Sequence, residues 1–478
     1  MDLDHDACYR AASARDARFD GRFFTAVKTT GIYCRPICPA RTPRSGNVIF
    51  YATAAAAQEA GYRPCLRCRH ETAPDLGAWR GASNTVSKAL ALIEMGALDD
   101  ASVDQLAGRV GVGERQLRRL FLEHLGASPI AVAQTRRVLL AKQLIHETRL
   151  PMTEIALASG FGSLRRFNET FSDLFGRPPT ELRRSKSGGA TDELGEISLL
   201  LRYQPPYDWP AMLDFLRVRA IPGIESVEQG IYRRTIGLDG ARGTVAVQPG
   251  GDSALRVTVR LSKISTLPKI IARLRRVFDL AADPAAVSAQ LSLDPMLAPL
   301  VAARPGLRVP GAWDGFELAI RAVLGQQITV TAAIRLAGKL VELFGAPLET
   351  TEPTLTHLFP EPGALTGIDL GILGMPRSRA ATLASVATNP ALFAGSCDLD
   401  DAVAKLCALP GIGPWTAHYI AMRQWREPDA FPAADVGLMR SVANIKGTRP
   451  TTRDLLAMAE QWRPWRAYAA QHLWAALH

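Results

Sequence analysis

No uninterrupted apolar stretch in this chain is long enough to cross a bilayer, which excludes the helical membrane classes. Met1 to Asp6 is acidic and no apolar core follows it, so no secretory leader is expected. Cysteine is scarce, at seven in 478 residues, too few for a disulfide scaffold. The expectation is a soluble, cytosolic protein. In a reducing compartment, clustered cysteines read as metal ligands or catalytic thiols. No fixed-period repeat runs through the chain.

Length and positive charge are what remain. At 478 residues the chain exceeds one core, and three to five domains are expected. The hydrophobic share of 47% is enough for several cores. Lys and Arg number 56 against 46 Asp and Glu, a net charge of +10. That excess favours a polyanionic partner, although charge alone also fits simple solubility.

Composition shifts mark the domains. Residues 1–78 form a small cysteine-bearing unit with strand-like pieces such as 23–27. Residues 83–183 are helical and Arg-rich. A soft Gly/Ser linker, 184–194, has no apolar periodicity. Strand signals dominate 195–288, where 243–247 and 254–261 alternate β-branched with other residues between turn signals. Residues 289–478 are helical, with Pro and Gly breaks every ten to twenty residues.

Four of the seven cysteines are clustered. Cys34 and Cys38 form a C-x3-C pair, and Cys65 and Cys68 a C-x2-C pair, with 26 residues between the pairs. Two close pairs can place four thiolates around one soft ion, and zinc suits four sulfurs best. A unit of this size struggles to fold on an apolar core alone, so a metal staple is expected. One reading keeps the metal purely structural. Against it stand Lys28, Arg35, Arg41 and Arg44 around the first pair. A metal-bound thiolate remains nucleophilic, and arginines can hold a phosphate beside it. Cys8, Cys397 and Cys407 are scattered and carry no assigned role.

The run from Thr29-Thr30-Gly31-Ile32-Tyr33-Cys34 to Arg41, with Gly61-Tyr62-Arg63-Pro64-Cys65-Leu66-Arg67-Cys68, resembles the N-terminal domain of Ada-type alkylation-response proteins. The resemblance implies one Zn2+ held by Cys34, Cys38, Cys65 and Cys68. It also implies that Cys34 irreversibly accepts a methyl group from a methylphosphotriester of the DNA backbone. Turning a thiolate into a thioether removes a negative charge near DNA and should tighten phosphate contact.

In the second block, 103–112 reads as a helix and Gly turn, and Glu114-Arg115-Gln116-Leu117-Arg118-Arg119-Leu120-Phe121 as a second helix. Leu117, Leu120 and Phe121 keep one face inward, while Arg115 and Arg118 point elsewhere, as a groove-reading helix requires. The pattern returns at 152–160, followed by Leu164-Arg165-Arg166-Phe167 and its continuation to Phe171. The pair resembles the AraC-type DNA-binding domain; a generic basic helical domain is the plainer reading.

The most informative loop lies further on. Leu409-Pro410-Gly411-Ile412-Gly413 is followed by Pro414-Trp415-Thr416 and then by Asp435. Gly411 and Gly413 permit a sharp turn into a helix whose first amides have no internal partner, a ready grip on a DNA phosphate. A carboxylate held near a gripped DNA strand is a candidate for chemistry on a nucleotide, stabilising developing positive charge and orienting water. Asp435 is the candidate. On spacing alone it is as well read as a helix cap, and the two roles are compatible.

Residues 201–209, 219–225, 313–317, 321–327, the hairpin, 462–468 and 472–474 together resemble the alkylated-base glycosylase AlkA and the helix-hairpin-helix superfamily, over nearly all of 198–478. The resemblance implies base flipping, with Trp415, Tyr419 and Trp474 forming an aromatic pocket that favours cationic purines. It places Gln327 as the wedge that fills the vacated position. Bifunctional relatives carry a lysine where Trp415 stands, so a monofunctional hydrolase is expected. No cysteine follows Cys407, so no iron–sulfur cluster is expected. His418, His472, Trp462 and Trp465 read as packing residues. No Pro-Cys-His-Arg acceptor motif is present, so direct O6-methylguanine repair is not expected.

The expected fold is multidomain and mainly α with α+β parts: a small four-cysteine zinc domain, an AraC-type double helix-turn-helix domain, an antiparallel-sheet AlkA N-terminal-like subdomain and an all-α helix-hairpin-helix glycosylase core. The expected function is alkylation repair joined to promoter regulation. Double-stranded DNA is the partner, and no membrane is involved. The resemblance leaves room for RNA polymerase as a partner, a monovalent cation at the hairpin and a monomeric, nucleoid-associated state. The competing reading is a transcription regulator whose glycosylase-like half only binds DNA.

Overall fold

The computed structural model describes residues 3–68, 70, 84–183, 196–251, 253–394 and 399–477. The Gly/Ser linker expected at 184–194, and Cys397, lie outside them. No described helix is long and apolar enough to cross a membrane. The chain divides into two compact units, Met1–Gln204 with Gly250–Ala272 and Pro205–Pro249 with Arg273–His478.

After the helix His5–Ala14, the first unit carries four short strands, β1 (Phe24–Val27), β2 (Ile32–Cys34), β3 (Val48–Tyr51) and β4 (Arg63–Pro64), in the order β3-β1-β2-β4. β1 runs antiparallel to β2 and β3, with Thr25 opposite Cys34, and β2 pairs in parallel with β4. This register delivers the first and second cysteine pairs to one end of the sheet. The apolar clusters are small: Phe24, Ala26, Tyr33 and Ala57 form one, and Cys8, Ala11 and Phe23 another. A core of that size leaves the cysteine end in need of its own staple.

Two helix-turn-helix pairs follow. Val103–Arg109 begins with a capping box between Ser102 and Gln105, two amide donors satisfied reciprocally. Glu114–Leu125 buries Leu117, Phe121 and Leu125, one residue every four, the period of a single helical face. The 19-residue helix Pro129–Glu147 leads to the second pair, Met152–Ala158 and Leu164–Phe175. The latter buries Phe167, Phe171 and Phe175, with successive ring centroids 4.8 and 5.4 Å apart. The turn between its helices needs Gly160, whose φ is +84° and where a Cβ would stand 2.4 Å from the Asp99 carboxylate. Asp99 is itself committed to Arg136 and Arg137.

The cysteine end is tied to the long helix. Lys142 is fully buried and its Nζ donates to the carbonyl of Cys65 at 3.1 Å. Thr53 Oγ1 donates to Leu125 O at 2.8 Å, and Glu59 accepts from the backbone N–H and hydroxyl of Ser128. Glu196–Arg202 pairs antiparallel with Ala254–Leu261 in the same unit, matching the strand text at 254–261.

The second unit carries an antiparallel meander, Glu225–Glu228, Ile231–Leu238 and Ala241–Pro249, which includes the strand expected at 243–247. Its centre is the helix Gly315–Leu324, apolar on almost every face except for Glu317 and Arg321. Those charges are paired. Arg234 Nη2 reaches Glu317 Oε2 at 2.8 Å, Arg321 bridges Glu317 at 2.7 Å and also Glu225, and Tyr232 donates to Glu225 at 2.6 Å. Burial alone raises a carboxylic pKa, but Arg234 and Arg321 overcome it and hold Glu317 at about 2. Removing one member of such a network strands a buried charge, at a cost of about 3–5 kcal/mol. Arg321 also donates to the carbonyl of Arg219 at 2.9 Å, so the network fixes the backbone that follows the helix Trp209–Arg217.

Candidate active site and metal centre

The hairpin joins the helix Leu399–Cys407 to Pro414–Gln424. Gly411 has φ +85°, and a Cβ there would stand 2.0 Å from Thr382 Oγ1. Gly413 is the N-cap of the second helix and brings no capping side chain, so the first amides are offered outward. Gln326, which the sequence reading passed over, donates to Gly411 O at 2.9 Å and to Thr416 Oγ1 at 3.3 Å. Its neighbour Gln327 is exposed with φ +59°. A left-handed backbone is uncommon away from glycine and clusters where it serves function. Replacing Gly411 by alanine should cost about 1–2 kcal/mol from φ alone, with the Thr382 clash added. Thermal unfolding and duplex affinity of Gly411→Ala should both fall; unchanged values would show that the hairpin tolerates a side chain.

Asp435 stands at the N-cap of Val436–Lys446. Its Oδ1 accepts from Leu438 N at 2.9 Å and from Trp474 Nε1 at 2.9 Å, and its Oδ2 accepts from Trp415 Nε1 at 2.8 Å. Capping and a fixed, half-exposed carboxylate therefore coexist. Trp415 stacks on Tyr419 with centroids 5.2 Å apart and planes within 9°. The same helix adds Arg423, four residues on, with its guanidinium 5.0 Å from the Tyr419 ring, 5.6 Å from Trp474 and 4.5 Å from Phe215. Arg219 caps Phe215 at 4.0 Å. Sequence reasoning found the two tryptophans and Tyr419 and missed Phe215, Arg219 and Arg423. The i, i+4, i+8 spacing of Trp415, Tyr419 and Arg423 was the available signal.

The two histidines are packing residues in this geometry. Burial pushes His472 down to about 4, which leaves it neutral at physiological pH, and also lowers His418. Trp462 is buried and donates to Asp294 at 2.6 Å.

In the first unit the sulfurs of Cys34, Cys38, Cys65 and Cys68 all lie within 4.8 Å of one another. Tetrahedral Zn–S bonds of about 2.3 Å set sulfurs about 3.8 Å apart, so the set fits zinc. Backbone amides already point at two of them: Arg67 N at Cys65 Sγ, 3.3 Å, and Arg35 N at Cys68 Sγ, 3.5 Å. Cys34 is half-exposed while the other three are buried. Lys28, Arg41 and Arg44, nearby in sequence, are exposed.

Arg35, expected among the basic residues around the first cysteine pair, has other partners. It is buried, its guanidinium paired with Asp20 and its Nη1 donating to Cys68 O at 3.1 Å. It braces the cysteine loop. On the two second helices of the helix-turn-helix pairs, Arg115 and Arg166 are exposed. Arg118 and Arg165 form i,i+4 pairs with Glu114 and Glu169, weak surface contacts that a phosphate can displace.

Four family models match the chain in series. They are the metal binding domain of Ada at residues 7–71, a helix-turn-helix domain at 106–185, the AlkA N-terminal domain at 198–314, and the HhH-GPD superfamily base excision DNA repair protein at 320–467. The chain is 42% identical over 484 residues to the "Probable bifunctional transcriptional activator/DNA repair enzyme AlkA" of Mycobacterium tuberculosis, covering 100% of this chain and 97% of that protein. It is 35% identical over 284 residues to DNA-3-methyladenine glycosylase 2 of Escherichia coli, covering 57% of this chain and 95% of that protein. The solved 3-methyladenine DNA-glycosylase from Archaeoglobus fulgidus, 22% identical, superposes with a TM-score of 0.52 over 58% of this chain and 97% of that one, a likeness of fold. With its zinc-binding, helix-turn-helix and glycosylase parts in this order, the chain belongs to the family of bifunctional Ada/AlkA transcriptional activator and DNA repair enzymes.

Proposed function

We propose that the second unit hydrolyses the N-glycosidic bond of alkylated purines and that Asp435 is its catalytic residue. The observation that carries this is the carboxylate itself, held by two indole N–H groups and one helix amide beside the aromatic stack. A flipped nucleotide stacked against these rings would bring C1′ to the carboxylate while the glycine hairpin and Gln327 engage the strand. As the C1′–N bond stretches, positive charge grows on the sugar and the fixed Asp435 oxygens stabilise it without reorganising. The same carboxylate orients water for attack at C1′. Trp415 offers no amine for a Schiff base, so the reaction ends at an abasic site with the strand intact. Incubating the full chain with methylated duplex should release free methylpurine, and borohydride should trap no protein–DNA adduct. Strand nicking with a trapped adduct would overturn the monofunctional assignment.

For the first unit we infer methyl transfer to Cys34, the one half-exposed ligand of the four. Cys34, Cys38, Cys65 and Cys68 would hold zinc, which when bound would keep the four sulfurs as thiolates. The Cys34 sulfur attacks the methyl carbon of a methylphosphotriester; an S–C bond forms, the C–O bond breaks, and the phosphodiester leaves with the electron pair. Arg41 and Arg44 would hold that phosphate, and Arg115, Arg118, Arg165 and Arg166 would contact promoter DNA. Mass spectrometry of Cys34 after exposure to methylated DNA tests the step; an unmodified Cys34 would leave the zinc a structural staple.

A further inference from the structure

The helix Pro414–Gln424 lines up Trp415, Tyr419 and Arg423 on one stripe, since residues four apart share a face. The third member is a cation where an apolar residue would pack more cheaply. Arg423 is 3% exposed. Pro310 O at 2.8 Å and Gln471 Oε1 at 3.4 Å reach it, the Tyr419 side chain also hydrogen-bonds to it, and its buried Nε has no hydrogen-bond partner among the described residues. Its remaining surroundings are the π-faces of Phe215, Tyr419 and Trp474. Burial, with Arg219 and Arg426 adding repulsion, pushes its pKa down to about 10, so it stays charged at neutral pH. No carboxylate among the described residues pairs with it, and a buried cation without one is costly. Of the two indoles that donate to Asp435, Trp474 is the one that Arg423 lies over, at 5.6 Å.

We propose that Arg423 is a specificity-determining residue of the glycosylase pocket, whose buried positive charge favours neutral lesion purines of the hypoxanthine class over purines made cationic by N-methylation. The proposal rests on the excision reading above. In the hydrolysis, water oxygen bonds to C1′ and the C1′–N9 bond breaks with both electrons going to the base. A purine methylated at N7 starts as a cation and departs neutral, its water-derived proton going to solvent. Hypoxanthine starts neutral and departs as an anion, which takes up that proton afterwards. A cation behind the aromatic wall stabilises the growing negative charge of the second and repels the initial charge of the first. The π-faces of Tyr419 and Trp474 are also partly engaged by Arg423, which weakens the cation–π advantage that an all-aromatic wall would give a methylated base.

The test is single-turnover excision by the full chain from two duplexes, one carrying hypoxanthine and one 7-methylguanine, in wild type, Arg423→Gln and Arg423→Lys. Glutamine keeps a donor toward Pro310 and removes the charge; lysine keeps the charge. The hypoxanthine-to-7-methylguanine rate ratio should fall about tenfold in the glutamine variant and be largely restored by lysine. Should the glutamine variant fail to fold, Arg219→Gln removes the neighbouring cation without touching Pro310 and should lower the ratio in the same direction by a smaller factor. Equal losses on both substrates, or an unchanged ratio, would overturn the role of Arg423 while leaving excision in place. Release of neither base by wild type would overturn the excision reading and this proposal with it.

Discussion

Asp435→Asn should abolish base release from methylated duplex, lowering the single-turnover rate by about 10²–10⁴-fold, the range expected when a general base and charge stabiliser is removed. Asparagine still caps a helix well, so the bond from Leu438 N survives in the variant and the fold is preserved. It presents one acceptor oxygen where the carboxylate presents two, so one of the indole contacts made by Trp415 and Trp474 is weakened. Duplex affinity, carried by the hairpin and basic surface, should stay near the wild-type value. The assay is chromatography of free base alongside a gel-shift titration. Full release by the variant would strip Asp435 of its role, and joint loss of release and binding would point to a structural defect.

Removal of zinc should have the second large effect, confined to the first unit. Structural zinc sites contribute about 10–16 kcal/mol of apparent binding free energy, more than apolar clusters as small as those around Phe24 and Phe23 can replace. Chelation, or Cys65→Ser, should unfold residues 1–78 and end methyl transfer. Because Lys142 donates to Cys65 O and Thr53 to Leu125 O, the helices Pro129–Glu147 and Glu114–Leu125 lose partners too, and promoter binding should weaken. Base release belongs to the other unit and should persist. Circular dichroism, zinc release and base-release rates, measured together, separate these outcomes; loss of base release on chelation would contradict independent function of the two units.

The parts of this protein that were readable beforehand share a physical character. The paired cysteines, the double glycine before Trp415 and the buried Leu/Phe faces of the helix-turn-helix pairs are local patterns, fixed by spacing within a few residues. Asp435 was readable as either cap or catalyst, and the structure shows why the ambiguity was real: the carboxylate makes the capping bond and still meets two indoles. What stayed hidden depends on contacts between distant segments. Arg35 sits in the most suggestive basic cluster, yet Asp20, fifteen residues earlier, draws it inward. Gln326 reaches a carbonyl 85 residues away. The network of Glu225, Arg234, Glu317 and Arg321 joins a strand meander to a helix far along the chain. Arg423 looks like any basic residue near a helix end until Phe215 and Trp474 close around it.

Excision by charge stabilisation at C1′ makes a direct demand on affinity. A duplex in which a positively charged pyrrolidine replaces the damaged nucleoside imitates the sugar at the transition state, and a tetrahydrofuran site of the same shape does not. Transition-state mimics bind more tightly than ground-state ones. Wild-type protein should hold the pyrrolidine duplex at least about 100-fold more tightly than the tetrahydrofuran duplex, and Asp435→Asn should erase that preference. Equal binding of the two duplexes by wild type would contradict the account.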